Sequence, residues 1–248
     1  MTSGTVKWDE SIHGLALESY HLAQWKSPKR STVQFAAFIE ARARESRRIL
    51  DLGCGAGAAL SQLAAAHPHA EFVGIDVSPK LIGIAKTLSE SGQSPNLTFA
   101  IDDWFDLQHY PAVDGVVSLQ TLSWLPEFEA PLQQIFEKVA PAWIALSSLF
   151  YHGDISCRIV VDEHAAGRQF YYNVYAIPAV SRFAETFGYR VAEARPFEID
   201  IDLPRPADPD AMGTYTVRTA EPGVPDRLQI SGPLLMNWHF VMLEKQPA

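Results

Sequence analysis

The sequence predicts an α/β fold built on a parallel sheet with helices on both faces. Three observations carry that expectation. Short apolar runs of strand length alternate with helix-length segments from residue 48 to residue 149. The first apolar run, Arg48-Ile49-Leu50-Asp51-Leu52, leads directly into Gly53-Cys54-Gly55-Ala56-Gly57, a turn too tight for side chains with a helix just beyond it. Carboxylates stand at or just past the ends of the early strands, at Asp51, Asp76 and Asp103. With 248 residues, 47% of them hydrophobic, the chain can bury one substantial core, so a single domain over 1–248 is expected.

Taken in order, Trp8, Ile12, Leu15, Ala16, Tyr20 and Ala23 recur at helical spacing and predict an amphipathic helix over residues 8–24. Ser27-Pro28 supplies a cap and a first-turn proline, which starts a second helix running to about Glu45. After the glycine turn come a helix over 58–66 and a strand over 71–76. A helix opened by Ser78-Pro79 runs to Glu90 and a strand covers 96–101. A strand over 113–119, a helix over 126–139 and a strand over 142–149 complete the alternation.

Beyond residue 150 the rhythm changes. Residues 156–162 and 169–177 are rich in strand formers and flank Ala165-Ala166-Gly167, so they predict a hairpin. A helix from Pro178 to Phe187 closes at Gly188, and a strand covers 189–201. Pro and Asp crowd residues 203–212, which predicts a loop. Residues 214–219 and 227–231 flank a Pro-Gly pair as a second hairpin, and 234–243 is the last strand.

The composition sets limits. A net charge of −9 argues against nucleic acid as a partner, since binding to it rests on Lys and Arg meeting phosphates. No run approaches the roughly 20 apolar residues of a membrane span, and the first ten residues lack a signal-peptide core, so a cytoplasmic protein is expected. Cys54 and Cys157 are the only cysteines and neither has a CxxC partner, so no disulfide framework and no zinc site are expected.

In a parallel sheet, ligands bind beyond the carboxyl ends of the strands. An acid at the end of the second strand, Asp76, is placed for the hydroxyls of a ribose. Asp103 after the third strand can accept an adenine amine, with Trp104 beside the base. Asp51, a carboxylate in a buried strand end, calls for a cation. Ammonium, ribose and adenine in that order describe S-adenosylmethionine. Gly53-x-Gly55-x-x-Ala58 also satisfies a dinucleotide fingerprint, but a nicotinamide site needs neither Asp51 nor Asp103.

Asp51-Leu52-Gly53-Cys54-Gly55-Ala56-Gly57, Asp76 and the segment Phe99 to Trp104 together resemble the class I S-adenosylmethionine-dependent methyltransferases. The resemblance covers residues 45–149. It implies a seven-stranded Rossmann-like sheet whose last strand lies antiparallel beside the sixth, roles for 234–243 and 189–201. On that plan 1–47 is a helical cap, 48–149 the cofactor-binding core, and 150–177 and 203–232 two inserted β-hairpins. The implied cofactor set is Asp51, Gly53, Cys54, Gly55, Asp76 and Val77, then Asp102, Asp103, Trp104, Ser118 and Leu119. Where most members have Gly-Asp after the third strand this chain has Asp102-Asp103, and spacing from Phe99 favours Asp103 for the adenine.

Ser118 to Pro126 resembles the small-molecule branch of that family and lacks the Asn/Asp-Pro-Pro-Tyr pattern of enzymes acting on bases or glutamine. The expected acceptor is a small molecule, methylated on oxygen; a protein or peptide acceptor, or a noncatalytic protein keeping the fold, are the alternatives. Gln120, Tyr171, Tyr172, Asn173, Tyr175 and Asn237 are the candidate substrate contacts, with a packing role as the competing reading for the tyrosine-rich segment. Asn237 stands nearer the ligand edge than His239. Arg30, Arg158 and Arg168 are candidates for an anionic substrate. His152, emerging after the fifth strand with Tyr151 and Asp154, is the candidate general base, since histidine ordinarily titrates near neutrality. His67 and His69 are expected to be solvated, and hairpin edges are expected to support a homodimer.

Overall fold

The computed structural model describes residues 22–91, 94–164, 167–205, 207, 214–220, 226–231, 234–235 and 238–246. The helix expected over 8–24 falls largely outside them; residues 22–26 are helical. Helix α1 spans Arg30–Glu45, β1 Arg48–Leu52, α2 Ala58–Ala66, β2 Glu71–Asp76, α3 Pro79–Ser91, β3 Leu97–Ile101 and β4 Gly115–Leu119. Beyond a short 3-10 turn, Leu122–Trp124, α4 covers Glu129–Gln134 and widens into a π turn, Ile135–Val139. Then follow β5 (Trp143–Tyr151), β6 (Val160–Glu163), β7 (Arg168–Tyr171), β8 (Tyr175–Ala176), α5 (Ile177–Glu185) and β9 (Tyr189–Pro196). The chain ends in β10 (Thr214–Arg218), β11 (Arg227–Ser231), β12 (Leu234–Leu235) and β13 (Trp238–Lys245).

The main sheet has the order β3-β2-β1-β4-β5-β13-β9, with β8 added to the end of β5. The strands from β3 to β5 are parallel, and β13 runs antiparallel between β5 and β9. Alternating side chains divide the core between the two faces. Ile49 and Phe72 pack with Phe35, Ile39, Leu60 and Ile82 under α1, α2 and α3. Leu50, Leu52, Val73 and Ile75 pack on the other face with Phe136, Val180 and Tyr189. Asp51 therefore shares the face of Ile49. Gly57, at φ +79°, caps α2, and a side chain there would run into the Phe99 ring that fills the space between turn and sheet.

Four expectations are corrected. The helix expected from Pro126 starts at Glu129, where Pro131 sits in the first turn and its missing N–H costs no bond. The second arm of the first hairpin is not one strand. It leaves β6 after Tyr171, makes a single bridge from Val174 to Cys157, and joins β5 in parallel at Tyr175. The strand expected to run to Ile201 stops at Pro196, which has no N–H to continue the ladder. The expected last strand is two: Leu234–Leu235 pairs with β11 in a separate three-stranded sheet, and Trp238 opens β13.

Candidate active site

Strand β1 delivers Asp51 to the carboxyl edge with almost no solvent contact, 2% exposed. Its Oδ1 has no hydrogen-bond partner among the described residues. Burial, and secondarily the charge of Asp76, push its carboxyl up to about 8. An ionised carboxylate without a donor is costly here, and the raised carboxyl reflects that cost.

The glycine turn is fixed by the neighbouring strand. Gly53 and Cys54 both donate N–H to Ile75 O at 2.9 Å, and Gly55 N–H donates to Asp76 Oδ2 at 2.9 Å. Asp76 Oδ1 accepts Ser78 N–H at 2.9 Å, so one carboxylate ties the turn to the start of α3. Burial raises the Asp76 carboxyl, and these two donors pull it back. The Cys54 thiol is pushed up by burial and then by Asp51 and Asp76, which keeps it a thiol and not a reactive thiolate. Val77 is exposed beside the turn, at 43%.

After β3 the two acids separate in role. Asp102 is consumed by the loop: Oδ1 accepts Asp103 N–H, while Oδ2 accepts Gln108 N–H at 3.1 Å and the Tyr110 hydroxyl at 2.7 Å. Asp103 is exposed and uses Oδ1 for Phe105 N–H at 2.9 Å. Trp104 does not lie open beside a base. Its indole is buried in the core and donates Nε1–H to Pro131 O at 3.0 Å.

Ser118 is likewise an internal brace, its hydroxyl donating to Leu52 O at 2.8 Å across to β1. Leu119 is half-buried. Gln120 adopts φ 61°; its Oε1 accepts Lys29 Nζ at 3.1 Å and its Nε2 donates to Ser31 Oγ at 3.1 Å. Gln120 thus holds the start of α1 against the end of β4. Thr121 Oγ1 donates to Gly53 O at 3.2 Å, and Trp25 donates Nε1–H to Ala56 O at 2.8 Å. Trp25, Lys29, Ser31 and Thr121 carried no local signal, because each bond joins segments far apart in the chain.

The tyrosine-rich segment packs, with most of its polar groups spent inside the fold. Asn173 is fully buried; its Oδ1 accepts Ile159 N–H at 2.8 Å and its Nδ2 donates to Leu125 O at 2.8 Å. Tyr175 is buried and donates its hydroxyl to Leu125 O at 3.1 Å, and burial raises its titration. Tyr172 is buried and Tyr171 half-buried. His152 is exposed, its ring 4.7 Å from that of Tyr151. Asn237 lies outside the described residues, and His239 is buried.

Arg30 pairs with Asp200 at 2.6 Å. Arg158 lines a groove of about 360 Å³ with Phe183 and Arg182 of α5. The Arg168 side chain is not described. His67, expected to be solvated, is buried beside Glu40 at 3.4 Å, and burial lowers its titration. Among the described residues no group of three His, Cys, Asp or Glu is placed to hold a metal, and no helix is long and apolar enough to cross a membrane.

Comparison with known proteins meets this geometry. Malonyl-[acyl-carrier protein] O-methyltransferase of Bacillus cereus is 32% identical over 107 residues, 43% of this chain and 39% of that protein. Trans-aconitate 2-methyltransferase of Methylobacterium radiotolerans is 33% identical over 98 residues, 40% of this chain and 36% of that protein. Ubiquinone biosynthesis O-methyltransferase of Aromatoleum aromaticum is 34% identical over 38% of this chain and 40% of its own. The matches thus span about two fifths of these relatives' length.

Two solved structures share the fold. Magnesium protoporphyrin IX methyltransferase from Synechocystis, with bound S-adenosylhomocysteine, superposes with a TM-score of 0.57 at 15% identity, covering 94% of this chain and 88% of its own. The [4+2]-cyclase SpnF superposes with a TM-score of 0.59 at 16% identity, covering 88% and 82%. The family model described as a methyltransferase domain matches residues 43–176, from the end of α1 through β8, and the chain belongs to that family.

Proposed function

We propose that the protein transfers a methyl group from S-adenosylmethionine to a small molecule, at oxygen. The observation that carries this reading is Asp51, a buried carboxyl group with an unpartnered oxygen directly before the glycine turn. The residues present fit the cofactor. Asp51 would hold its ammonium group. Asp76 keeps lone pairs beyond its two backbone bonds for ribose hydroxyls. Asp103 stands exposed at the end of β3 for the adenine amine. Gly53, Cys54, Gly55, Val77 and Leu119 line the same edge.

Bound S-adenosylmethionine supplies a sulfonium-activated methyl group. The chain's own contribution is alignment, which supplies most of the acceleration an in-line displacement needs. A carboxylate acceptor requires no base; for a hydroxyl acceptor His152, exposed at the end of β5, is the proposed general base. The named relatives act on malonyl-acyl-carrier protein, trans-aconitate and ubiquinone precursors, which supports an oxygen acceptor.

A cytoplasmic location and a homodimer joined through hairpin edges belong to the same proposal, tested by cell fractionation and light scattering. The deciding experiment for function is incubation with labelled S-adenosylmethionine and a metabolite extract, read by mass spectrometry. Label in a metabolite supports the proposal; label only in protein overturns the small-molecule reading. The second reading, a noncatalytic protein that retains the methyltransferase fold, is favoured if no acceptor gains label.

A further inference from the structure

The donor side of the site is lined by the carboxyl groups of Asp51, Asp76 and Asp103, and the edge beside it is apolar. Along the sheet from β1 to β4 to β5, half-buried apolar side chains take over from carboxylates. Leu119 ends β4, Trp124 lies in the turn beyond it, Tyr151 ends β5 and Phe170 stands in β7. Leu119, Trp124 and Tyr151 pack on the same core cluster as Cys54, and Thr121, between Leu119 and Trp124 in the chain, bonds Gly53 O of the glycine turn at 3.2 Å.

Trp124 is held firmly. Its ring lies 5.2 Å from that of Phe170 at 33°, and 5.2 Å from that of Tyr172 at 76°. The backbone beneath is fastened to β5 and to the hairpin. Ser123 Oγ lies 2.5 Å from Ser148 Oγ and accepts Leu149 N–H at 2.9 Å, while Ser123 O accepts Asn173 N–H at 2.8 Å. A preorganised, half-buried indole loses little side-chain entropy on contact and gains by stacking.

We propose that Trp124, with Leu119, Tyr151 and Phe170, forms the platform for the methyl acceptor, and that the acceptor is a flat, largely apolar ring compound. The proposal rests on the methyl-transfer reading above. Covering a ring face on this apolar surface is favourable, whereas a polycarboxylate set against an indole gives up hydration that the ring face does not replace. Arg30, one cation that could have served such an acid, is held by Asp200 at 2.6 Å. Arg158 lines the separate groove against α5.

The test titrates S-adenosylhomocysteine-saturated protein with two probe sets: hydroxybenzoates and naphthols, and the acyclic acids trans-aconitate and citrate. Binding is read by calorimetry and by tryptophan fluorescence. The expected result is binding of a ring compound with fluorescence quenching, and none of the acyclic acids. Trp124→Ala weakens ring binding at least tenfold and leaves the S-adenosylhomocysteine Kd within twofold. Trp124→Phe keeps most of the affinity and loses the quenching. In turnover with a ring acceptor, the Trp124→Ala defect falls on KM more than on kcat.

Should Trp124→Ala fail to fold, Phe170→Leu replaces it, with a severalfold loss expected for rings alone. Preference for the acyclic acids, or ring binding indifferent to these variants, overturns the platform. If S-adenosylhomocysteine binds and no ring compound does, the platform alone falls. If S-adenosylhomocysteine does not bind the wild-type protein, the methyl-transfer reading falls and the platform with it.

Discussion

Thr121 and Gly53 meet where β4 and β1 end side by side. The Thr121 hydroxyl donates to Gly53 O at 3.2 Å, and a Cβ built on Gly53 would come within 2.5 Å of the threonine side chain. Gly53 also holds φ +73°, a conformation that side chains disfavour. The end of β4 thereby presses directly on the glycine turn, with no room between them.

Gly53→Ala is expected to lower stability by about 1–3 kcal/mol from backbone strain alone, before the clash is added. The turn must then shift away from Thr121. Calorimetric titration should show S-adenosylhomocysteine affinity falling at least tenfold. Gly53→Ala combined with Thr121→Ser, which removes one clashing methyl group, should recover part of it. No recovery would mean that backbone strain alone is responsible.

Asp51 makes cofactor binding proton-linked. Its carboxyl sits at about 8 in the folded chain, against an ordinary value of 3.8, with burial the larger cause and Asp76 the smaller. A raised acid contributes its stability fully below the unfolded value and loses it as pH rises towards the folded one. The ligand-free protein should therefore lose about 1.4 kcal/mol per pH unit from this group between those two values. Binding an ammonium group requires the carboxylate, so at pH 7 binding should release close to one proton. Titration in two buffers of different ionisation enthalpy measures it. Asp51→Asn should abolish the release, weaken binding and stabilise the ligand-free protein above pH 6.

How much of this was legible in the sequence follows from how local each signal is. The strands from 48 to 119, the glycine turn and the acids at their ends are short-range patterns, and the structure places them within a residue or two. Trp104 and Ser118 turn their polar groups inward, to Pro131 and Leu52, partners that no nearby residue announces. Asn173 and Tyr175 read as a binding wall for the same reason: both reach Leu125 across some fifty positions of chain. Trp124 gave no signal of its own beyond standing after a strand. Only the hairpin folded against it shows its surroundings.

The turn-holding bonds of Asp76 can be separated from its proposed contact with ribose. Its oxygens hold Gly55 N–H and Ser78 N–H at 2.9 Å each, and their remaining lone pairs are available to a ribose. Asp76→Asn keeps one acceptor oxygen and should retain part of the turn's order. Asp76→Ala removes both and frees two backbone donors, costing about 1–3 kcal/mol for each one left unsatisfied. With S-adenosylhomocysteine added, the Asp76→Ala thermal midpoint should not rise, while the asparagine variant should show a reduced rise. Equal behaviour of the two would remove the turn-holding role.

His152 stands exposed against Tyr151 at the end of β5, and a side chain on Gly153 would crowd that tyrosine ring. If it serves as base for a hydroxyl acceptor, His152→Ala should lower kcat by about 10²–10⁴-fold and flatten the acid limb of the pH–rate profile. With a carboxylate acceptor the same variant should be silent. Unchanged kcat with a hydroxyl acceptor removes His152 from the mechanism.

Asn173 braces the backbone beneath the proposed acceptor platform. It bonds Ile159 N–H through Oδ1, and Leu125 O and Tyr175 Oη through Nδ2, drawing the hairpin, the turn after β4 and the start of β8 to one point. Asn173→Ala leaves the Ile159 donor short of its partner, at about 1–3 kcal/mol, while Leu125 O keeps the Tyr175 hydroxyl. A chain of this size loses roughly 2–4 °C in Tm per kcal/mol, so a fall of several degrees is expected. Because Asp51, Asp76 and the glycine turn are braced independently through Ile75 and Ser78, S-adenosylhomocysteine affinity should change less than twofold. Acceptor affinity should drop, since losing the side-chain bonds loosens the segment whose backbone N–H, kept in the variant, holds Ser123 beneath Trp124. Loss of cofactor affinity equal to the loss of acceptor affinity would show that the two halves of the site are not separately supported.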